Sequence, residues 1–137
     1  MLVKATLTQL SNLESCEALW NPQSYRVART NRFAAAPVPG VGLSRLQSAS
    51  GGEERFAARL FLDTSEMEGN DRDLRPWVSR LEAWSETEGA AGLPPRILFH
   101  WGSFRFHGYL EELVEEWTAF DPDGTPIRAW LDIVLRK

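Results

Sequence analysis

The amino-acid sequence predicts a small, mainly β domain: a barrel or sandwich of six to seven mostly antiparallel strands with one flanking α-helix. Three observations carry this expectation. Short segments such as Leu2 to Gln9 and Ile127 to Leu135 alternate apolar and other residues with the two-residue period of a half-buried strand. Clusters of Asn, Asp, Gly and Pro separate those segments with turn chemistry. One stretch alone, Leu74 to Trp84, carries apolar residues at helical spacing.

Along the first strand Val3, Ala5 and Leu7 share one face and Lys4, Thr6 and Thr8 the other. Cys16 to Trp20 is a second short apolar run, ended by Asn21-Pro22-Gln23-Ser24, since Pro lacks an N–H and Asn tolerates turn geometry. Tyr25 to Ala34 reads as a third strand with Arg26 on its exposed face. Between Ala34 and Gly52 stand two prolines, four glycines and three serines, which predict a long loop over residues 34–52. Its aliphatic residues Val38, Val41, Leu43 and Leu46 leave two readings open, a segment packed on another surface and a mobile insertion.

Glu53 to Asp63 resumes strand character, and Asp63-Thr64-Ser65 closes it. Leu74, Trp77, Val78, Leu81 and Trp84 fall at i, i+3, i+4, i+7 and i+10, the spacing that stacks side chains on one helical face. Asn70, Asp71 or Asp73 is the expected cap, with Pro76 in the first turn, where its missing N–H costs nothing. Arg96 to Leu110 forms the clearest hairpin. A two-residue turn at Gly102-Ser103 sets Trp101 against Phe104, Phe99 against Phe106 and Ile97 against Gly108 on one buried face. Arg96, Leu98, His100, Arg105, His107 and Tyr109 then share the opposite face. A second hairpin joins Leu113–Phe120 to Thr125–Arg136 through Asp121-Pro122-Asp123-Gly124, and sets Arg128 beside Trp117 as a cation–π pair.

With 137 residues the chain is close to the size of one domain, so residues 1–137 are read as a single unit. Its 43% hydrophobic and 25% charged content is that of a globular chain and excludes a collagenous or wholly disordered one. A net charge of −4 and only two lysines, Lys4 and Lys137, with scattered arginines, argue against nucleic acid or anionic lipid as partner. Fifteen aromatic residues, six of them Trp, fill a core or anchor an interface. The single cysteine, Cys16, closes no intramolecular disulfide, and Glu14 and Glu17 beside it disfavour a thiolate. No apolar stretch serves as a signal peptide or membrane span, so synthesis and assembly in the cytoplasm are expected.

Catalytic patterns are weak. There is no Gly-x-Ser-x-Gly elbow, P-loop or Gly-x-Gly-x-x-Gly after a strand. His100 and His107 are the only histidines, and they give the best alternative reading, a metal-binding or enzymatic β-barrel. A zinc site needs three or four ligands, however, and the neighbours are arginines, a tyrosine and Glu111. A ligand-binding barrel is the other alternative. The acidic clusters Glu66 with Glu68, Asp71 with Asp73, and Glu111-Glu112 with Glu115-Glu116 read as solvated faces. No catalytic residue, metal or cofactor is expected.

A set of motifs in fixed order spans nearly the whole chain: Trp20-Asn21-Pro22-Gln23-Ser24-Tyr25, Phe61-Leu62-Asp63, Pro94-Pro95 before Ile97-Leu98-Phe99, Trp101-Gly102, and Phe120-Asp121-Pro122-Asp123-Gly124-Thr125-Pro126-Ile127-Arg128-Ala129. In these the sequence resembles the tube-type proteins of contractile injection systems, the phage-tail-like particles. The likeness is greatest to the N-terminal domain of the tube–spike adaptor that often carries a LysM domain. The family usually has Phe where Trp20 stands, and no LysM domain follows here, so cell-wall binding is not carried over.

The resemblance implies a tail-tube-like β-barrel, assembled as a hexameric ring at the baseplate, that joins spike to inner tube and lets cargo pass. The implied partners are copies of itself, the inner tube protein, the spike or hub protein and other baseplate proteins. Within such a ring, the 34–52 segment and the N-terminal strand are the expected contacts between subunits or between rings. Arg26, Arg105, Glu112 and Glu116 are the expected lining of a wetted lumen.

Overall fold

The computed structural model describes residues 2–36, 45–86 and 92–137. Seven strands, β1 (Thr6–Gln9), β2 (Ser15–Glu17), β3 (Tyr25–Ala36), β4 (Arg45–Asp63), β5 (Arg96–Trp101), β6 (Phe104–Phe120) and β7 (Pro126–Arg136), form one sheet with a helix, α1 (Arg75–Trp84). The order across the sheet is β2-β1-β5-β6-β7-β4-β3, and all neighbours are antiparallel. Just after β2, an antiparallel bridge between Trp20 and Phe61 brings the chain against β4. One end of the sheet thereby meets a strand near the other end, and the sheet curls into a barrel.

The alternation read in the sequence sets which side is inside. Ile127, Ala129, Leu131, Ile133 and Leu135 of β7 are buried, as are Phe56, Leu60 and Leu62 of β4 and Leu7 of β1. The β5–β6 hairpin turns at Gly102, whose φ of 60° suits glycine, and its register is the expected one, with Phe99 opposite Phe106 and Trp101 opposite Phe104. Helix α1 puts Val78, Leu81 and Trp84 into the same core. Its side chains also hold the β2 segment: Trp77 Nε1 donates to Glu17 O at 3.0 Å, Arg80 to Ser15 O at 3.0 Å, and Trp84 Nε1 to Glu14 at 3.2 Å. An edge strand whose carbonyls are occupied in this way is a poor template for pairing with another chain. Cys16 lies beneath, and burial pushes its thiol pKa up, while Arg80 partly counters it.

Several expectations need correction. The loop expected over 34–52 is mostly strand: β3 runs to Ala36, β4 starts at Arg45, and Ala36 pairs with Arg45. Gly52, one of the glycines that suggested a loop, serves a close approach instead. A Cβ on Gly52 would lie 2.7 Å from Thr30 O and 2.8 Å from Asn31 Oδ1, next to the register shift between Thr30 and Arg32. Within the sheet the N-terminal strand is interior, with β1 paired to β2 on one side and β5 on the other, which leaves its faces and loops for any contact between subunits. The strand expected from Leu113 continues the previous one as a single 17-residue β6, with a shift between Leu110 and Glu112. None of Asn70, Asp71 and Asp73 occupies the N-cap position of α1, which is Leu74. Asp73 instead accepts from Arg75 N at 3.0 Å.

Candidate assembly surfaces

Beyond Arg55, β4 leaves β7 and pairs only with β3. The stretch Arg45–Glu54 with Arg29–Ala36 is therefore a two-stranded ribbon running on from the barrel. An isolated two-stranded ribbon is marginally stable in water, so this element gains from being covered. Its root is fastened: Lys137 N donates to Glu54 O at 3.0 Å, and Arg136 reaches Glu53 at 2.6 Å. Of the aliphatic contact candidates, Val38, Val41 and Leu43 lie outside the described residues, and Leu46 is placed on β4 opposite Ala35.

The outward face of β3, β4, β7 and β6 is charged. Arg26, Ala57, Val134 and Glu112 are successive register partners and form one row across four strands. Arg26 and Glu112 line the same shallow hollow. Arg59 bridges Glu116 at 3.3 Å and Asp132 at 3.7 Å, and Arg55 meets Glu111 at 3.3 Å. Exposed pairs of this kind are worth about 0–1 kcal/mol each, so the face is wetted and charge-balanced rather than a source of stability. Of the four lumen candidates, Arg26, Glu112 and Glu116 come together here. Arg105 stands apart, opposite His100 beside the β5–β6 turn.

The motif residues fall into two groups. In one, Asn21 ties the start of the chain, accepting from Ala5 N at 2.8 Å and donating to Val3 O at 3.0 Å. Trp101 Nε1 donates to the same carbonyl at 3.0 Å. Pro22 is buried, and Tyr25 stacks on Phe104 at 4.4 Å between ring centroids. Trp20 stays 59% exposed at the mouth of an open cleft of about 500 Å³ that it shares with Arg59, Phe61 and Trp130.

In the other group, Arg72 forms a fork on Asp121, Nε to Oδ2 at 3.0 Å and Nη2 to Oδ1 at 2.6 Å. Its remaining Nη1 donates to Ser65 O and Met67 O. Asp123 accepts from Thr125 N, and Gly124 takes a φ of 90° to complete the β6–β7 turn. Phe120, at the end of β6, is exposed opposite Pro126. The cation–π pair expected between Arg128 and Trp117 is absent from their placement: Arg128 lies opposite Ala119 and reaches Asp63 at 3.3 Å, while Trp117 lies opposite Ala129. The register shifts between Trp117 and Phe120 move the two out of line. The cation–π contacts among the described residues are Arg59 over Trp130 at 4.4 Å and Arg96 over Tyr109 at 5.4 Å.

Sequence reading missed Arg59, Arg72 and Trp130. Pairing β4 with β7 in register would have found two of them, since it sets Arg59 opposite Asp132 and Phe61 opposite Trp130.

The Arg72 fork holds the Asp121 carboxyl below the ordinary carboxylate range, and the Thr125 amide and hydroxyl do the same for Asp123. For Asp63 burial works upward, but hydrogen bonds from Ser65 and the charge of Arg128 outweigh it. A carboxyl whose native pKa is depressed contributes stability in full above its unfolded value, roughly 3.9, and loses it as pH falls through the lower native value. Asp121→Asn is therefore expected to flatten the acid limb of the melting-temperature profile below about pH 4. Thermal melts between neutral pH and pH 2 check this, and an unchanged acid limb would count against the fork.

His100 and His107 lie diagonally on one sheet face, as the hairpin register requires. Arg105 stands opposite His100, and Arg96 approaches His107 Nδ1 at 3.4 Å, surroundings that repel a cation. Among the described residues, no group of three or more His, Cys, Asp and Glu is placed to hold a metal ion, and no helix is long and apolar enough to cross a membrane.

Comparison with curated proteins finds no match. The family model described as contractile injection system tube protein matches residues 2–137. That span takes in the barrel, the ribbon and both groups of motif residues, and the chain belongs to the contractile injection system tube protein family.

Proposed function

We propose that this chain forms a ring, hexameric in the simplest case, at the baseplate of a contractile injection particle, where it joins the spike to the inner tube. The single observation that carries this reading is the ribbon of β3 and β4, whose far part, residues 45–50 with residues 32–36, runs on from the barrel and has only the two strands as ladder partners among the described residues. In this reading the surface is completed by a different surface on the next copy, and head-to-tail contacts of this kind close into a ring when the rotation between copies divides the full circle. Contacts of the remaining faces with the inner tube protein, the spike or hub and other baseplate proteins follow from the same placement. The family match supports a structural role and a particle context.

The row with Arg26 at one end and Glu112 at the other, and Glu116 beside it, is the lumen lining in this reading. A conduit should not adhere to what it conducts, and a wetted face on which Arg55 and Arg59 are paired with Glu111, Glu116 and Asp132 offers little to a passing chain. Electron microscopy of the assembled particle tests both parts. The expected map shows a closed ring between spike and tube with positions 26, 112 and 116 facing the channel. A map with these positions dry between subunits would remove the lumen assignment, and one without this chain at the baseplate would remove the adaptor assignment. Glu112→Lys is expected to leave the unfolding free energy within about 0.5 kcal/mol and ring formation intact, measured by urea titration and by the mass of the assembly.

A further inference from the structure

The open cleft beside Trp20 is built on one line across the outside of the barrel. Trp20 bridges to Phe61, Phe61 pairs with Trp130, and Trp130 pairs with Glu116. Three aromatic side chains therefore stand side by side on neighbouring segments, over about 10 Å at two strand spacings. The Phe61 and Trp130 rings lie 4.5 Å apart between centroids, and Trp20 keeps 59% of its surface in solvent.

The rim of this strip is polar. Asn21, Gln23 and Ser24 complete the lining together with Pro22 and Arg59. The Asn21 amide is engaged with Ala5 N and Val3 O. The side chains of Gln23 and Ser24, and the indole N–H groups of Trp20 and Trp130, make no hydrogen bond among the described residues. Arg59 lies over Trp130 at 4.4 Å and is balanced by Glu116 at 3.3 Å and Asp132 at 3.7 Å.

This combination selects a ligand chemistry. A phosphate or carboxylate would meet an arginine already shared by two carboxylates. A wholly apolar group would cover Gln23, Ser24 and two indole N–H groups without giving them partners, which is costly. A pyranose satisfies both demands. Its C–H groups carry the partial positive charge that the negative face of an aromatic ring attracts, and its hydroxyls at the ring edge both donate and accept. A straight strip longer than one sugar ring suits two rings joined by a β-linkage, which keeps them extended, better than the bend of an α-linkage. The cleft volume of about 500 Å³ falls within the range of about 300–1,000 Å³ found for small-molecule sites.

We propose that the Trp20–Phe61–Trp130 strip binds a neutral, β-linked disaccharide unit, with the sugar rings on the aromatic side chains and the hydroxyls on Gln23, Ser24 and the Arg59–Glu116–Asp132 group. The site goes beyond the ring reading above and does not depend on it.

Saturation-transfer difference NMR of the full chain with cellobiose is the test. Transfer onto the ring C–H protons is expected, with a Kd on the order of 1 mM, weaker transfer to the α-linked maltose, and none to the open-chain sorbitol. Trp20→Ala is expected to weaken binding roughly tenfold or more. Gln23→Ala, at an exposed position, is expected to weaken it roughly two- to tenfold. A thermal melt checks that both variants fold, and Gln23→Ala decides alone if Trp20→Ala does not. No transfer at cellobiose concentrations on the order of 10 mM, equal binding by the folded variants, or equal transfer to sorbitol overturns the proposal. So does a Trp20 that loses its acrylamide quenching on self-association while cellobiose stays unbound, a result that makes the strip a protein contact.

Discussion

Phe56→Ala is expected to lower the unfolding free energy by about 3–5 kcal/mol, the range for emptying a buried aromatic site. Phe56 is fully buried, and its ring lies 4.4 Å from Phe99, 5.6 Å from Phe106, 5.7 Å from Tyr25 and 5.8 Å from Phe104, all between centroids. The four neighbours belong to three different strands, so collapse of one side chain into the gap would leave others unsupported. A domain of ordinary stability has about 5–15 kcal/mol to lose, and the variant should sit near the edge of folding at 37 °C. Urea titration gives the result directly. A loss below about 1 kcal/mol would mean that the cluster repacks, contrary to the tight ring contacts. The assembly consequence is specific. Phe56 pairs with Val27 of β3 and Leu135 of β7, so the same change loosens the root of the ribbon, and ring formation should fail at temperatures where the barrel is still folded.

Gly108→Ala is expected to cost about 2–3 kcal/mol, at the upper part of the range for overpacking. A Cβ there would lie 2.5 Å from Arg136 O, 2.7 Å from Arg136 C and 3.0 Å from Lys137 N. Every one of these is a backbone atom, so no rotamer change relieves the overlap. The end of β7 has to move, which disturbs the pairing of Tyr109 with Arg136 and the hydrogen bond from Lys137 N to Glu54 O. Hydrogen exchange should accelerate over the end of β7 and the residue after it, residues 134–137, before the rest of the barrel is affected. Wild-type stability with unchanged exchange in that stretch would show that the strand end yields at no cost. Both changes act on the same joint, one from inside the barrel and one from its rim.

The β5–β6 hairpin shows how much was legible without coordinates. Gly102-Ser103 in a two-residue turn fixes the register, and the register fixes which aromatics share a face. Helix α1 was equally legible, since its apolar spacing and Pro76 are both local signals. The β3–β4 ribbon was not. Its Ser, Gly and Ala residues have little intrinsic preference for a strand, and they adopt one because the preceding strand, β3, offers a row of backbone partners, from Ala36 opposite Arg45 to Arg29 opposite Glu54. Gly52 illustrates the ambiguity: glycine signals a loop where the chain turns and a close approach where two strands touch. The Arg128–Trp117 pairing failed for a related reason, because register shifts near the end of β6 change which residues face each other and leave no trace in the composition.

The candidate surfaces divide in the same way. That Arg26 points outward follows from two-residue alternation, whereas Glu112 and Glu116 do so because the register shift between Leu110 and Glu112 reverses the faces of the second half of β6. That Arg26 and Glu112 share one row depends on how four strands align, and that Arg72 reaches Asp121 depends on a turn 49 positions away. The sequence by itself determined the class of fold, the faces of each element, and through its ordered motifs the family. Tertiary structure alone decided that β1 is an interior strand, that the glycine-rich stretch is a ribbon, and that Trp20, Phe61 and Trp130 line one cleft. The physical reason is range: alternation, turns and helical spacing are interactions within about ten residues, whereas strand order and register are settled by contacts between residues far apart in the chain.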